Sequence, residues 1–329
     1  MTNRTSENPT FPSAIAAGLA QLAGRDIFVD LDGLSVRGHF WPVHENGDMP
    51  PKGTIVFCPG FTEFCEKYSH AFARLHDAGY DVLVIDWPGQ GRSGSLGRNP
   101  IAVHIDSFET YLRAMDALII AAGIDRRELI LMGHSMGGHL ALRLTERYAA
   151  KIRAAIILSP MIAPPVMPVN GVRALARLFE WVGLGRSYPP FRGGLTIQIE
   201  RIFRQRNGLT RWQPGYESQF IWCDDVPEFY RSGPTAGWVR AAYDSCAHTT
   251  LNSEWMAARN VPILALTGSD ERIVHKKSMD RMIPYLPQVT HHEFVDARHE
   301  LLSELPSLQD ELWQRFDAFI AGLLANQRG

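Results

Sequence analysis

The sequence predicts an α/β fold: a mostly parallel sheet of eight strands with helices on both faces and a helical cap inserted into it. Three observations predict it. Short continuous apolar runs alternate with stretches of helical spacing, the pattern of strands buried on both faces by helices. The alternation stops over residues 161–247 and resumes afterwards, as an insertion would make it do. The run Leu129 to Met132 breaks into Gly-His-Ser-Met-Gly-Gly before a helix-like stretch, a tight strand-to-helix reversal.

Along the chain, "FPSAIAAGLAQLAG" (11–24) reads as a short amphipathic lead-in helix. It lacks the basic region of a signal peptide beyond Arg4, and Gln21 and its glycines dilute the apolar stretch. "DIFVDLDG" and "VRGHFWP" then form an antiparallel hairpin at the sheet edge. "TIVFCPG" (54–60) and "DVLVIDWPG" (81–89) are β-rich runs ending in turn residues, with "EKYSHAFARLHDAG" between them at helical spacing. "SFETYLRAMDALIIAAG" is the next helix, followed by the strand of "ELILMGHS", its helix, and the strand "AAIILSP" (154–160). After the insertion come the strands "VPILALTGSD" and "HHEFV". The core is therefore 1–160 with 248–329, and the cap 161–247.

Composition narrows the class. Hydrophobic residues make up 45% and charged residues 21% of 329, which suits a soluble globular enzyme and not a disordered chain. A net charge of -2 offers no electrostatic footprint for nucleic acid. Cys58, Cys65, Cys223 and Cys246 show no C-x-x-C spacing and read as thiols in a reducing compartment, with neither structural disulfides nor zinc expected. No run approaches the roughly 18 apolar residues of a membrane span, so a cytoplasmic location is expected, with peripheral membrane contact open to it. No cofactor and no metal are expected, since no H-x-x-x-H or H-x-H cluster occurs.

In an open parallel sheet, ligands bind at the carboxyl ends of the strands. Three turns at such ends combine. Ser135, bracketed by Gly133 and Gly137 as G-x-S-x-G requires, follows the strand 128–132. Asp270 and Glu271 follow the strand 261–267, and His299 follows the strand 291–295. A serine hydroxyl is a poor nucleophile at neutral pH, so His299 is needed to take its proton while a carboxylate orients the imidazole. Taken alone, Ser135 would be an N-cap and His299 a helix N-terminal residue; the three together point to nucleophilic catalysis. An oxyanion hole needs backbone N–H donors, expected at Met136 and at Phe61, just past Pro59-Gly60.

"PGFTEFCEKY", "DWPGQGRSG", "GHSMGG", "GSDERIV" and "ARHELLSE" together resemble the bacterial lysophospholipase and monoglyceride-lipase-like α/β-hydrolases. The order nucleophile, acid, histidine is that of this fold. The resemblance spans nearly the whole core and is weakest in the cap. Its members carry His-Gly where this chain has Pro59-Gly60, a departure that leaves the Phe61 donor unaffected. It implies hydrolysis of an acyl ester through an acyl-enzyme, with the cap shaping the acyl pocket. It also favours Glu271 over Asp270, because the family resembles G-x-x-acid-x-apolar-apolar, here Gly268, Glu271 and Ile273-Val274. Those two apolar residues should tuck under the sheet and fix the turn.

The cap adds evidence about the substrate. "VRALARLFEWVGLG" carries apolar residues at helical spacing that suit an acyl tunnel. The cap holds ten arginines, no lysine and seven acids, a net +3 that leaves -5 for the remainder. A basic mouth would favour phosphate-bearing substrates or transient contact with an anionic membrane surface. The reading is a serine hydrolase of a lysophospholipid or monoacylglycerol. Its rivals are a general carboxylesterase for small soluble esters and a non-catalytic binding protein of the same fold.

Overall fold

The structure is a computed structural model and describes residues 24–43, 50–148, 150–163, 169–189, 200–251 and 260–326. The expected lead-in helix lies outside the described residues except for Gly24. The sheet has eight strands: β1 (Arg25–Leu31), β2 (Leu34–Trp41), β3 (Gly53–Cys58), β4 (Tyr80–Ile85), β5 (Leu129–His134), β6 (Ile152–Leu158), β7 (Ile263–Gly268) and β8 (Val289–Phe294). Their spatial order is β1-β2-β4-β3-β5-β6-β7-β8. β1 pairs with β2, and β2 with β4, antiparallel; every other neighbour is parallel.

Period-two alternation of the central strands divides their side chains between two cores. Val56 and Cys58 of β3, Leu129 and Leu131 of β5, and Ala155 and Ile157 of β6 enter one cluster. Ile55 and Phe57, Ile130 and Met132, and Ile156 and Leu158 enter the other. Because both faces are covered, these strands read as continuous apolar runs. The first core is closed by α2 (Phe108–Ala121) and α3 (Met136–Tyr148), through Leu112, Met115, Leu140 and Leu144. The second is closed by α1 (Ser69–Asp77) and the C-terminal α8 (Pro306–Asn326), through Phe72, Leu75, Leu312 and Phe316.

Between β6 and β7 the chain leaves the sheet. This excursion includes α4 (Val169–Trp181), α5 (Gln213–Asp225) and α6 (Ala236–Leu251). Its last helix does not stand apart from the core. Trp238, Ala241, Ala242 and Cys246 of α6 belong to the first core, and Trp238 Nε1 donates to Tyr111 Oη of α2 at 3.0 Å. The short helix α7 (Lys276–Met282) follows β7 and buries Met279 in the same core. All four cysteines are buried free thiols. No described helix is long and apolar enough to cross a membrane.

A buried guanidinium ties the strand-end loops to the sheet. Arg37 on β2 pairs with Asp86 after β4 at 3.0 Å and with Glu66 before α1 at 2.5 Å. Asp86 also accepts from the backbone N–H of Cys65 and Arg92, at 2.7 and 2.9 Å. The loops after β3 and β4 are thereby held in one orientation above the carboxyl ends of the strands.

Candidate active site

Ser135 sits between β5 and α3 with φ = 55°, a left-handed conformation that costs a non-glycine residue about 1–2 kcal/mol. Neighbours clamp it there. Its N–H donates to Leu158 O at 2.9 Å, and its carbonyl accepts from Met161 N at 2.9 Å and His139 N at 3.2 Å. The glycines of the motif are steric necessities. A Cβ on Gly137 would lie 1.8 Å from Cys58 O, and one on Gly133 would lie 2.3 Å from Gly137 O. Only a bare backbone lets the start of α3 pass so close to the end of β3, and that approach brings the loop after β3 beside Ser135.

His299 and Glu271 come from the turns after β8 and β7. His299 Nδ1 lies 2.7 Å from Glu271 Oε2, with both side chains buried. The other carboxylate oxygen accepts from the N–H of Ile273 at 2.7 Å and of Val274 at 3.1 Å. Burial pushes the Glu271 pKa up, but the adjacent His299 and these hydrogen bonds outweigh it and hold it below the ordinary value. The turns meet because Gly268 has no side chain: a Cβ there would lie 2.3 Å from Ala297 O. Asp270 points elsewhere, to Arg272 Nε at 2.7 Å and Arg298 Nε at 3.3 Å. The expectation for Ile273-Val274 needs correction. Val274 is buried but Ile273 is 36% exposed, and the turn is fixed by their backbone N–H groups on Glu271.

In the loop after β3, the donors on either side of Phe61 are already used. Gly60 N–H is taken by Glu63 Oε2, and Thr62 N–H by Gln90 Oε1 at 3.1 Å. The intervening Phe61 N–H has no partner among the described residues. Met136 is the first residue of α3, where no preceding helical turn accepts its N–H.

Beneath this loop lies a charge network that sequence reasoning missed. Glu63 Oε1 accepts from Lys67 Nζ at 3.1 Å, Tyr68 Oη at 2.9 Å and His134 Nδ1 at 2.9 Å. Lys67 also donates to Glu300 Oε1 at 2.8 Å. His134 Nε2 lies 3.1 Å from the carbonyl oxygen of His299. Both ring nitrogens of His134 thus face acceptors, an arrangement that favours its protonated form. Burial opposes that charge, but Glu63 beside it raises the His134 pKa above the ordinary value. Glu63 is in turn held low, against burial, by Lys67 and His134. The signal was present in the sequence: Glu63 and Lys67 are four apart within "PGFTEFCEKY", and His134 and Glu300 adjoin Ser135 and His299.

Ser135 and His299 line one cavity of about 390 Å³, together with Phe61, His134 and Ile273. Its cap wall mixes Tyr216, Phe220, Phe229 and Tyr230 with the polar Glu200, Asn207, Gln219 and Arg231. The helix expected to line an acyl tunnel does not reach it. α4 buries Ala176, while Leu175, Leu178 and Trp181 are exposed, Trp181 by 84%. The cap wall is anchored to the histidine turn: Glu300 N donates to Leu209 O at 2.8 Å, and Arg298 Nη1 to Thr210 O at 3.1 Å. Among the described residues, no group of three or more His, Cys, Asp or Glu could hold a metal ion.

The family described as "Serine aminopeptidase, S33" matches residues 49–306. The chain is 30% identical over 234 residues to lysophospholipase L2 of Escherichia coli, covering 69% of this chain and 66% of that protein, just under two thirds of its length. It is 25% identical over 265 residues to the phospholipase YtpA of Bacillus subtilis, covering 79% of this chain and 92% of that one. A soluble variant of the Saccharomyces cerevisiae monoglyceride lipase shares the fold, with TM-score 0.69, 18% identity, and coverage of 90% of this chain and 94% of that one.

Proposed function

The chain belongs to the α/β-hydrolase family described as serine aminopeptidase, S33, as a lysophospholipase- and monoglyceride-lipase-like serine hydrolase, and from that premise we propose that it cleaves the carboxylic ester of a single-chain lipid, a lysophospholipid or a monoacylglycerol. The carrying support is the buried Glu271–His299 pair, whose imidazole lines one cavity with Ser135. In this reading Ser135 Oγ attacks the ester carbonyl while His299 Nε2 takes its proton. Glu271 keeps Nδ1–H oriented and balances the imidazolium. The carbonyl oxygen becomes an oxyanion that accepts from the N–H groups of Met136 and Phe61. Collapse breaks the C–O bond, and His299 gives its proton to the leaving alcohol. Water, deprotonated by His299, then releases the fatty acid and restores Ser135.

The names of the E. coli and B. subtilis relatives favour a phospholipid ester, and the exposed apolar residues of the cap favour transient contact with the membrane that holds it. The polar residues of the cavity wall favour a second reading, a carboxylesterase for small soluble esters. A fluorophosphonate should label Ser135 stoichiometrically, and Ser135→Ala should abolish labelling and turnover. An acyl-ester series should then show kcat/KM rising with chain length, by up to about 0.8 kcal/mol per methylene, until the pocket is full. Preference for acetyl esters would select the second reading, and a folded protein that takes no label would reject both.

A further inference from the structure

Two cations line the cavity beside Ser135 as ordinary ammonium or guanidinium groups, and they differ in how their charge is met. Lys67 lies between Glu63 and Glu300, at 3.1 and 2.8 Å, and is neutralised. Arg231 has no carboxylate within ion-pairing distance among the described residues. Its Nε donates to Gly89 O at 2.8 Å, its Nη2 to Gly91 O at 2.9 Å, and its Nη1 to Tyr230 O at 2.9 Å and to Glu228 O. All four acceptors are backbone carbonyls. Carbonyl dipoles satisfy hydrogen bonds and carry no net charge, so a full positive charge remains in the wall. Other cap arginines with ion pairs find them away from this cavity, Arg173 and Arg240 on Asp244 and Arg201 on Asp224.

The four carbonyls also fix the guanidinium in place. They occupy four of its five N–H groups, which leaves one Nη2 N–H and the charge for a ligand, and a group held in advance loses little entropy on taking one. Glu200 lines the same cavity without pairing to Arg231. A carboxylate there disfavours a doubly charged phosphate monoester and suits a head group with an ammonium beyond its phosphate. Burial depresses the Arg231 pKa below the ordinary value, outweighing the attraction of Asp86 and Glu228 beyond ion-pairing distance, and an anion beside it would relieve that cost.

We infer that Arg231 reads the substrate's head group: its guanidinium binds the phosphodiester of a lysophospholipid whose acyl ester lies at Ser135, so that phosphate-bearing single-chain lipids are preferred to neutral monoacylglycerols. The inference rests on the single-chain-lipid reading above, and its test separates the two. Hydrolysis of a soluble p-nitrophenyl ester is inhibited with dodecylphosphocholine or with the neutral 1-O-dodecylglycerol, both below micelle-forming concentrations. Neither inhibitor contains an acyl ester, so the competition reads head-group binding independently of lipid turnover. The wild type should bind dodecylphosphocholine about 10-fold or more tighter, the worth of a charge-assisted hydrogen bond. Arg231→Gln should collapse the ratio of the two inhibition constants toward one, and Arg231→Lys should recover part of it. Equal inhibition of the wild type by the two amphiphiles overturns the inference with no variant needed. A parallel rise of both constants in Arg231→Gln also overturns it, making Arg231 a staple of the Gly89–Gly91 loop alone. Discrimination by an enzyme that hydrolyses no single-chain lipid ester would uphold the phosphate contact and overturn the substrate reading.

Discussion

Asp270 and Glu271 are neighbours in sequence and differ by one methylene, yet their surroundings set them apart. Glu271 is buried on His299 and on two backbone N–H groups, whereas Asp270 is partly exposed between two arginines. Glu271→Gln should therefore cut kcat by about 10³–10⁴-fold, the scale seen when a triad carboxylate loses its charge. Asp270→Asn should cost far less, and steady-state kinetics on one ester would rank them. Glu63 makes a prediction about stability. Its pKa is depressed, so its contribution is present above the ordinary value of 4.5 and is lost as pH falls through the lowered value. His134 has a raised pKa, so its contribution is complete below the ordinary 6.5 and is lost as pH rises through the raised value. Glu63→Gln should cost about 3–5 kcal/mol, as removal of one partner from a buried ion pair does. The deficit should be greatest between about pH 4.5 and 6.5 and shrink on either side, as urea melts across pH would show.

At the scale of elements, the site depends on how closely backbones approach. The β5-to-α3 turn works because α3 begins against the carbonyl of Cys58, and Gly137→Ala places a methyl where that oxygen lies. The substitution should destabilise the fold by at least about 3 kcal/mol, the upper range of overpacking, and displace the Phe61 loop with it. Gly322 is the contrasting case. It lies within α8, and a Cβ there meets nothing within 4 Å. Gly322→Ala should therefore stabilise by about 0.5–1 kcal/mol, because alanine loses less backbone entropy on entering a helix. Thermal melts of the two variants should move in opposite directions.

Over the whole molecule, the described surface carries an apolar strip on the cap. Leu175, Leu178, Trp181 and Val182 are exposed along one face of α4 and its end, and Arg177 beside them is 61% exposed. An apolar face edged by arginine suits the boundary of an anionic bilayer. Trp181→Ser should lower co-sedimentation with vesicles containing anionic lipid while leaving turnover of a soluble ester nearly unchanged. Retention of full vesicle binding would overturn this role for the strip.

The order and type of the strands, the serine turn and the late histidine were legible in the sequence, because each is encoded locally. Continuous apolar runs such as Leu129 to Met132 report burial on both faces, and G-x-S-x-G reports a clash that only glycine avoids. Family spacing favours Glu271 over Asp270, although the residues alone leave both open. Tertiary structure alone decided the rest. Whether the apolar residues of α4 face a tunnel or solvent depends on what packs against the helix, and periodicity is the same in either case. The Glu63–Lys67–His134–Glu300 network joins residues up to 237 positions apart (63 to 300), and Arg231 is set apart by having no carboxylate partner among the described residues. Long-range pairing and the absence of a partner are properties of packed space, which one-dimensional spacing does not record.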